Sequence, residues 1–380
     1  KMQAYAREKT GKDTIYALSG WNSWGTDWCA LLPYSVSCTY YLNTFGNRVT
    51  GLVDIDPYGD SNSNYYGTLR FYNKAWRMGI LDPELFTLTL EQYEAKVFNG
   101  DVLVSNNAWY TSQKMDPSVT EVFGDDCNFY EIKGMPFYFS LLTENSPGGY
   151  GMYAADAINV NCKYPERAVA LMDYLRSDEF LRTVACGLQG IHWDYDETGK
   201  PVYIGAAAEA YANGTWSDFK AVGNGNYIGF PVHKLALGNK VCADGYFADF
   251  TTSAEYIAEK AANDKGVQDY LKFYNSDARY VGEAYKQWVD EGIAAVAAGF
   301  NPKLAFTPAA SDEMNSLNTK CNNYYNENSA KAIFADTVEE SEAAIEKMIS
   351  DLKAMGCETL YQSEVDRQTE SQRIAAELGF

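Results

Sequence analysis

Residues 79–110 read GILDPELFTLTLEQYEAKVFNGDVLVSNNAWY, and the order of local signals in this stretch decides the fold. Apolar residues at helical spacing in Tyr66–Met78 predict a helix just before it. Gly79 ends that helix, because glycine readily adopts the left-handed conformation that closes helices. Thr89 and Gln92 then have the spacing of a capping box, which satisfies free backbone donors and predicts a short helix.

The short helix and the strand after it complete the pattern. The helix is predicted over Leu90–Phe98, closed by Asn99 and Gly100. Asp101–Ser105 contains a continuous apolar run, which is typical of a strand buried on both faces. Polar and aromatic residues follow that strand directly, and ligands bind at the carboxyl ends of strands in open α/β sheets. We therefore expect a binding site at the end of this stretch.

Aromatic residues among small and polar neighbours predict a sugar-binding surface. The sequence contains 8 Trp, 30 Tyr and 18 Phe, and several of them lie outside any helical spacing. Rings can stack on the C–H faces of sugars while polar neighbours bond the hydroxyls. One cluster follows the strand-like Thr14–Leu18, and another precedes the strand-like Ala155–Val160. The predicted ligand-binding residues are Trp21, Asn22, Trp24, Asp27, Asn107, Trp109, Tyr110, Tyr150 and Trp193.

His192 and Trp193 admit two interpretations. They can line a binding cleft, and they fit packing near a hinge equally well, so both alternatives stay open. The acidic stretch DIDPYGD at 54–60 is spaced loosely like a calcium-binding loop. Counted from Asp54, however, the twelfth position is Tyr65, where such a loop needs a bidentate Glu. The sequence therefore favours no calcium site there.

Eight cysteines are scattered with no C-x-x-C and no zinc-ligand spacing. Cys162 and Cys186 lie in apolar surroundings and are predicted to be small core residues. Cys29 and Cys38 can pair locally in an oxidising compartment, whereas an anaerobic source would leave every cysteine a thiol. Both possibilities stay open. We predict no metal and no cofactor.

Motifs for common enzymatic chemistry are missing from the sequence. It has two histidines and no G-x-S-x-G, His-Glu-x-x-His or phosphate-loop motif, so acyl transfer, zinc hydrolysis and phosphoryl transfer lack their parts. We predict a protein that is not an enzyme and has no catalytic residues. A secreted glycoside hydrolase, which needs only two carboxylates, stays open as an alternative, as does a glycan-adhesion domain that uses the same aromatic residues.

The acidic charge of the chain argues against two classes of partner. The 380 residues include 31 Lys and Arg against 51 Asp and Glu, a net charge of −20. Nucleic acids and anionic lipids both attract clustered basic residues, so we expect neither as a partner. The length allows two domains with proper cores. The sequence contains no apolar run of about 20 residues, the length that would span a membrane.

Three segments resemble the extracellular solute-binding proteins of carbohydrate ABC importers, the maltose-binding-protein-like family 1 in its longer Gram-positive lipoprotein type. They are residues 79–110, Asp156–Phe180 (DAINVNCKYPERAVALMDYLRSDEF) and Glu339–Gln368 (EESEAAIEKMISDLKAMGCETLYQSEVDRQ), in the order of the family. The resemblance implies an α/β fold of the periplasmic-binding-protein type II. Such a fold has two lobes joined by hinge crossovers and a helical C-terminal part.

The resemblance also assigns segments to lobes. It places 1–126 in the first part of lobe two and 127–186 in a return segment of lobe one. It implies that 187–380 crosses back to lobe two with a helical C-terminal region. The chain opens on KMQAYAREKTGKDTIYALSG, which reads as the middle of a helix followed by a strand. We therefore expect an N-terminal truncation that removes the secretion signal, a lipid-attachment cysteine and the first part of lobe one.

By the same resemblance, the expected function is that of the substrate-binding component of an ABC transporter. It would capture an oligosaccharide between the lobes by aromatic stacking, hydrogen bonding and domain closure, and deliver it to a permease. The expected partners are that oligosaccharide and the permease subunits, with the membrane reached only through a lipid anchor. The expected protein is bacterial and monomeric, and either lipid-anchored on a Gram-positive surface or periplasmic. A peptide ligand and a sugar-phosphate ligand stay open as alternatives.

Other patterns predict local structure outside these segments. Asp194–Gly205, DYDETGKPVYIG, predicts a hairpin with Gly199 in its turn. The segment Cys186–Lys240 shows little helical period. From Thr251 onward the chain is predicted to be helical, with amphipathic stretches at Ala254–Ala262, Ala278–Ala298 and Thr337–Met355.

Overall fold

The computed structural model describes residues 1–22, 53, 55–104, 121–124, 158–213, 215, 241–293 and 306–379. The chain divides into two compact units. Unit 1 combines Lys1–Asn145 with Asp269–Phe380, and unit 2 is Ser146–Gln268. The chain therefore leaves unit 1 and later returns to it. The assignment of 1–126, 127–186 and 187–380 to two lobes stays a prediction.

The described residues are mainly helical with a few short strands, so the fold mixes helices and strands. The first elements are α1 (Met2–Thr10), β1 (Tyr16–Leu18), α2 (Asn64–Arg77), α3 (Leu90–Phe98) and β2 (Val102–Val104). Next come α4 (Pro165–Tyr174), α5 (Asp178–Cys186), β3 (Trp193–Tyr195), β4 (Pro201–Tyr203), α6 (Gly205–Ala212) and α7 (Ala254–Ala262). The last are α8 (Lys265–Phe273), α9 (Val281–Asp290), α10 (Asp312–Ile333), α11 (Val338–Met355) and α12 (Cys357–Glu377).

The strands of unit 1 form a small parallel sheet. β1 pairs with β2 in parallel, and Leu18 lies opposite Val104. Leu18 also forms a parallel bridge with Leu81. The prediction that β2 is buried on both faces is wrong. The core cluster on this sheet includes Val102 but neither Leu103 nor Val104, which are half-buried.

Both helices predicted around residues 79–110 are confirmed. After α2, Gly79 has a φ of 67°, and its N–H donates to the carbonyl of Trp76 at 2.8 Å. α3 begins with the predicted capping box. The Thr89 hydroxyl accepts from the Gln92 N–H at 3.3 Å, and the Gln92 side chain accepts from the Thr89 N–H at 2.9 Å. Gly100, with a φ of 70°, follows the end of α3.

A helical bundle forms the largest core of unit 1. α2 packs against α10 and α11, and α12 packs against the same two helices. The core is rich in tyrosine: the rings of Tyr65 and Tyr325 have centroids 4.5 Å apart, and the Tyr325 hydroxyl donates to the Tyr65 carbonyl at 3.0 Å. Asn73 donates to the carbonyls of Ile333 and Ala335 at 3.2 and 2.8 Å. These contacts fix α2 to a helix 260 residues later in the chain.

Unit 2 contains the predicted hairpin. β3 pairs with β4 in antiparallel register, and Asp194 lies opposite Val202. Gly199 in the turn has a φ of 83°, and the Asp196 carboxylate accepts from the Lys200 N–H at 3.0 Å. The positive φ at the turn explains why a glycine stands there. The hairpin prediction is therefore confirmed.

Two of the predicted amphipathic stretches are confirmed as helices, by α7 and α11. The third, Ala278–Ala298, is confirmed only over α9, because that helix ends at Asp290 and Gly292 has a φ of 71°. α6 lies in a segment for which little helical period was expected. Its alanines were the available signal, because alanine has the highest helix propensity. Within the described parts of the chain, no helix combines the length and the hydropathy needed to cross a bilayer.

The predicted strand Ala155–Val160 is wrong in its described part. Ile158, Asn159 and Val160 form no strand, and Val160 is 96% exposed. Asn159 instead closes a turn: its side-chain oxygen accepts from the Asn161 N–H at 2.8 Å, and its carbonyl accepts from the N–H of Cys162 at 2.8 Å. This local hydrogen bonding competes with strand pairing.

Candidate functional site

The carboxyl ends of the parallel strands in unit 1 form the candidate site. Ser19 follows the end of β1, and Asp82 follows Leu81, which is bridged to β1. Lys96, on α3, reaches Asp82. We call the set Ser19–Asn22, Asp82 and Lys96 the carboxyl edge. In open α/β sheets this position collects the polar side chains that meet a ligand.

Asp82 is the centre of the carboxyl edge. Its side chain is 1% exposed, and its Oδ2 accepts from the Ser19 hydroxyl and from Lys96 Nζ, both at 2.7 Å. Oδ1 accepts from the Glu84 N–H at 2.9 Å, and the Asp82 N–H donates to the Leu18 carbonyl at 2.9 Å. A buried carboxylate needs such partners to stay charged. One side chain therefore joins the end of β1, the turn after Asp82 and α3.

Lys96 balances the charge of the carboxyl edge. Its Nζ lies 2.7 Å from Asp82 and 2.5 Å from Glu84 Oε2, and its side chain is 22% exposed. Burial alone would lower the pKa of Lys96, but hydrogen bonds to the two carboxylates outweigh burial and raise it. The ammonium therefore stays charged at neutral pH. That state suits structural pairing and does not suit a general base.

Ser19–Asn22 is held from two sides. Ser19 bonds Asp82, and the Asn22 N–H donates to the Leu88 carbonyl at 3.0 Å. Between them, Trp21 is 1% exposed and lies against Tyr93 of α3, with ring centroids 5.2 Å apart. These contacts make Trp21 a packing residue of the sheet and α3. A direct ligand contact by Trp21 or Asn22 stays a prediction.

Most of the other predicted ligand-binding residues lie outside the described residues; these are Trp24, Asp27, Asn107, Trp109, Tyr110 and Tyr150. Their roles stay predictions. In sequence, Trp24 and Asp27 come shortly after Ser19–Asn22, and Asn107, Trp109 and Tyr110 come shortly after β2. Sequence position therefore links five of the six to the carboxyl edge.

Trp193 and His192 lie in the core of unit 2. Trp193 is 5% exposed and its Nε1 donates to the Gly187 carbonyl at 2.9 Å. His192 Nδ1 accepts from the Leu188 N–H at 2.9 Å. Gly187 has a φ of 87°, and a Cβ there would lie 2.6 Å from His192 Nδ1, so a side chain has no room. The contacts support packing, while a ligand contact by Trp193 stays a prediction.

The buried Arg182 forms an ion pair with the half-buried Asp244 beside Trp193. The two guanidinium NH2 groups of Arg182 donate to Asp244 at 2.8 and 3.1 Å, and the Tyr195 hydroxyl donates to Asp244 at 2.7 Å. The guanidinium carbon lies 5.2 Å from the Trp193 ring centroid. Burial alone would raise the pKa of Asp244, but hydrogen bonds from Arg182 and Tyr195 outweigh burial and lower it. This network holds the hairpin to α5.

The described carboxylates at 54–60 accept from nearby backbone N–H groups, and Asp56 Oδ2 also accepts from Cys357 Sγ at 3.9 Å. Asp56 accepts from the Tyr58 N–H at 3.0 Å, and Asp60 accepts from the Asn62 N–H at 2.8 Å. Asp54 lies outside the described residues. In the part of the chain that the structure covers, no three His, Cys, Asp or Glu side chains are grouped so that they could hold a metal ion.

The two cysteine predictions have different outcomes. Cys186 is fully buried, which confirms it as a core residue, and burial together with the nearby Asp249 raises its pKa to about 12. Cys162 is only half-buried, so its prediction as a core residue is wrong; it lies in the turn that Asn159 closes. Cys29 and Cys38 lie outside the described residues.

Sequence reasoning missed the two ion pairs that organise these regions, Asp82 with Lys96 and Arg182 with Asp244. Asp82 lies inside the decisive stretch, but nothing local indicates that it bonds Ser19, 63 residues earlier. Arg182 and Asp244 are 62 residues apart and carry no motif. The available signal for Asp82 was an acid between an apolar pair and a proline, shortly after the glycine that ends the predicted helix.

No protein-family model matches the chain, and no characterised protein matches it as a relative.

Proposed function

We propose that the protein is the substrate-binding component of a carbohydrate ABC importer, acting outside the cytoplasm. It binds an oligosaccharide by aromatic stacking and hydrogen bonding, and presents it to the membrane permease. The expected state is a monomer, anchored through lipid at a Gram-positive surface or free in a periplasm. The finer fold that goes with this proposal is the two-lobe periplasmic-binding-protein type II.

One observation carries the proposal: the two sequence segments richest in predicted sugar contacts leave the same edge of one parallel sheet. Leu18 at the end of β1 lies opposite Val104 at the end of β2. Trp24 and Asp27 follow the first exit in sequence, and Asn107, Trp109 and Tyr110 follow the second. Adjacent exits at the carboxyl ends of parallel strands are where α/β proteins bind small molecules.

The charges of the carboxyl edge support an uncharged ligand. Lys96 is paired with Asp82 and Glu84, so its ammonium is already engaged by two carboxylates. A sugar acid or sugar phosphate would have to compete with both of them. A neutral oligosaccharide needs only hydroxyl partners and ring faces, which the composition of the two segments supplies.

The path of the chain also supports the proposal. Unit 1 is built from two separate stretches, and unit 2 from the stretch between them. The solute-binding fold crosses between its lobes in this discontinuous way. Each unit is compact by itself, as a lobe of such a protein must be.

A ligand screen tests the proposal directly. The full chain is heated alone and with maltotriose, cellotriose, xylotriose, mannotriose or a tripeptide panel, and any hit is measured by titration calorimetry. Saturating sugar at about 100 times its Kd stabilises the folded protein by about 2.7 kcal/mol, which raises the Tm. A shift with peptides and none with sugars refutes the carbohydrate proposal. Release of reducing sugar from a bound oligosaccharide would replace it with the glycoside hydrolase alternative.

The predicted ring contact at Trp109 gives a sharper test. Trp109→Ala removes a stacking ring, so we expect the Kd for the bound sugar to rise about tenfold or more, since stacking contributes about 0.5–1.5 kcal/mol beyond the area that the ring buries. Trp109→Phe is the matched control and should keep most of the affinity. Equal affinities of the alanine variant and the wild type would remove Trp109 from the site.

A further inference from the structure

We propose that Asp82 is a positioning residue for the ligand site: it does not contact the sugar, but it holds Ser19–Asn22 and the chain from α3 into β2, the two described segments after which the predicted sugar contacts follow in sequence. The inference rests on the proposed function for its link to ligand affinity. Its basis is the juxtaposition of Ser19, Asp82, Glu84 and Lys96 in unit 1.

The first segment is held through Ser19. The Ser19 hydroxyl donates to Asp82 Oδ2 at 2.7 Å, directly after the last residue of β1. Asp82 also holds β1 itself, because its N–H donates to the Leu18 carbonyl at 2.9 Å. Ser19 and Asp82 are 6% and 1% exposed, so water does not compete for these bonds. Asp82 therefore fixes the direction in which the chain leaves β1.

The second segment is held through Lys96. Lys96 Nζ donates to the same Oδ2 of Asp82 at 2.7 Å and so ties the C-terminal half of α3 to the edge. The Lys96 carbonyl accepts from the Asp101 N–H at 2.8 Å, and the Asp101 carbonyl accepts from the Tyr16 N–H at 2.9 Å. A series of hydrogen bonds that begins at Asp82 therefore fixes the position of the chain between α3 and β2.

The position of Asp82 separates this role from ligand contact. With 1% of its side chain exposed, the carboxylate offers a ligand no surface. Its described acceptor contacts all go to protein donors: Ser19, Lys96 and the Glu84 N–H. Any effect of Asp82 on affinity must therefore pass through the residues it holds.

The test uses Asp82→Asn in the full chain, which keeps the side-chain volume but loses the charge and one acceptor. We expect the Kd of the neutral trisaccharide that gives the largest thermal shift to rise about tenfold or more, at a temperature well below the Tm. Hydrogen exchange should quicken together at Ser19–Asn22 and at Leu90–Val104. Ser19→Ala, a milder change, should raise the Kd about fivefold by removing one hydrogen bond.

Two comparisons separate positioning from general destabilisation. Ser341→Ala removes a buried hydrogen bond in the helical bundle, where the Ser341 hydroxyl donates to the Ala332 carbonyl at 2.9 Å. It should lower the Tm and leave both the Kd and the exchange at the edge unchanged. Lys96→Met should weaken binding as Asp82→Asn does, and Lys96→Arg, which keeps the charge, should restore it.

The outcomes distinguish this inference from the proposed function. If the wild type binds a sugar and Asp82→Asn binds it equally well, the inference is overturned and the function stands. If the wild type binds no sugar, the function is rejected, and the link to affinity falls with it. In that case the exchange data still decide whether Asp82 holds the two segments: unchanged exchange in either segment contradicts it, and faster exchange in both supports it.

Discussion

In unit 1 the buried member of the central ion pair is the acid, whereas in unit 2 it is the base. Asp82 is 1% exposed and Lys96 is 22% exposed, while Arg182 is 5% exposed and Asp244 is 18% exposed. Asp82 is surrounded by hydrogen-bond donors from three segments. Arg182 lies beside aromatic rings and depends on one carboxylate and two backbone carbonyls.

The difference determines which substitution each pair tolerates least. Removing the more exposed partner leaves the buried charge without its counterion, which is more costly than removing the buried group itself. Asp82 would still keep the Ser19 hydroxyl and the Glu84 N–H without Lys96. Arg182 would keep only backbone carbonyls without Asp244. The pair in unit 2 should therefore be the more sensitive to loss of its outer partner.

The largest effect is expected for Asp244→Ala. This change leaves the Arg182 guanidinium buried and without a counterion, so the free energy of unfolding should fall by about 3–5 kcal/mol. Urea denaturation, followed by circular dichroism, measures it. Arg182→Met combined with Asp244→Ala should cost less than Asp244→Ala alone, because no charge is then left buried. A double variant less stable than the single one would contradict this account.

A smaller effect is expected for Lys96→Met in unit 1. Asp82 loses its counterion but keeps two donors, so the cost should be about 2–3 kcal/mol, and Lys96→Arg should recover most of it. The pKa of Lys96 is raised above its ordinary value of 10.5, so its folded form holds the proton more tightly. The stability from Lys96 is therefore complete below pH 10.5 and is lost as the pH rises through the raised pKa.

Urea titrations between pH 7 and pH 11 check this prediction. The difference in the free energy of unfolding between the wild type and Lys96→Met should be constant near neutral pH and should become smaller toward pH 11. Lys347→Met, which removes an exposed pair with Asp351, is the matched control and should change the stability by less than about 1 kcal/mol. A loss at Lys347 as large as at Lys96 would show that burial of the acid is not the deciding factor.

The smallest effect is expected at Asp56, a half-buried acid for which burial outweighs the nearby positive charge of Lys353. Burial raises the pKa of Asp56. Hydrogen bonds from the N–H groups of Gly59 and Tyr58 lower it, but burial has the larger effect. A raised pKa means that the folded state binds the proton more tightly, so stability falls as the pH rises from 3.8 through the folded value. Asp56→Asn removes that fall and should be the more stable protein at pH 7, by no more than about 1 kcal/mol.

Asp351 provides a control of opposite sign. Hydrogen bonds from Lys347 and Tyr324 lower the pKa of Asp351, so its contribution is present above pH 3.8 and is lost as the pH falls through the folded value. In melting curves from pH 3 to pH 7, the Tm of Asp56→Asn should therefore increase relative to that of the wild type as the pH rises. The Tm of Asp351→Asn should decrease relative to that of the wild type over the same range. The same trend in both variants would contradict the assignment.

Elements fixed by neighbours in sequence were predictable. The capping box of α3, the glycine after α2 and the turn of the hairpin at Gly199 each need only a few adjacent residues, and all three are confirmed. Strands were also predicted within Thr14–Leu18 and Asp101–Ser105, where β1 and β2 lie, but their parallel pairing and register were not predicted. Local chemistry decides such features before any tertiary contact forms.

Features set by distant residues were not predictable. The bonds from Ser19 and Lys96 to Asp82, and from Arg182 to Asp244, depend on where separate elements meet, which no short pattern encodes. Trp21 shows the same limit within the candidate site. Its aromatic ring and polar sequence neighbours suit a sugar contact, yet Trp21 packs against Tyr93 of α3. The sequence shows that an aromatic ring is present, but it does not show which residues pack against it.

The discontinuous make-up of unit 1 constrains how the protein is made on the ribosome. α2 emerges early, but the tyrosine that completes its core, Tyr325, is synthesised 260 residues later. Unit 2 is continuous in sequence and can fold while the last helices are still inside the ribosome. During that interval the apolar face of α2 lacks its packing partner. We therefore expect the newly made chain to be prone to aggregation until α10 has been synthesised.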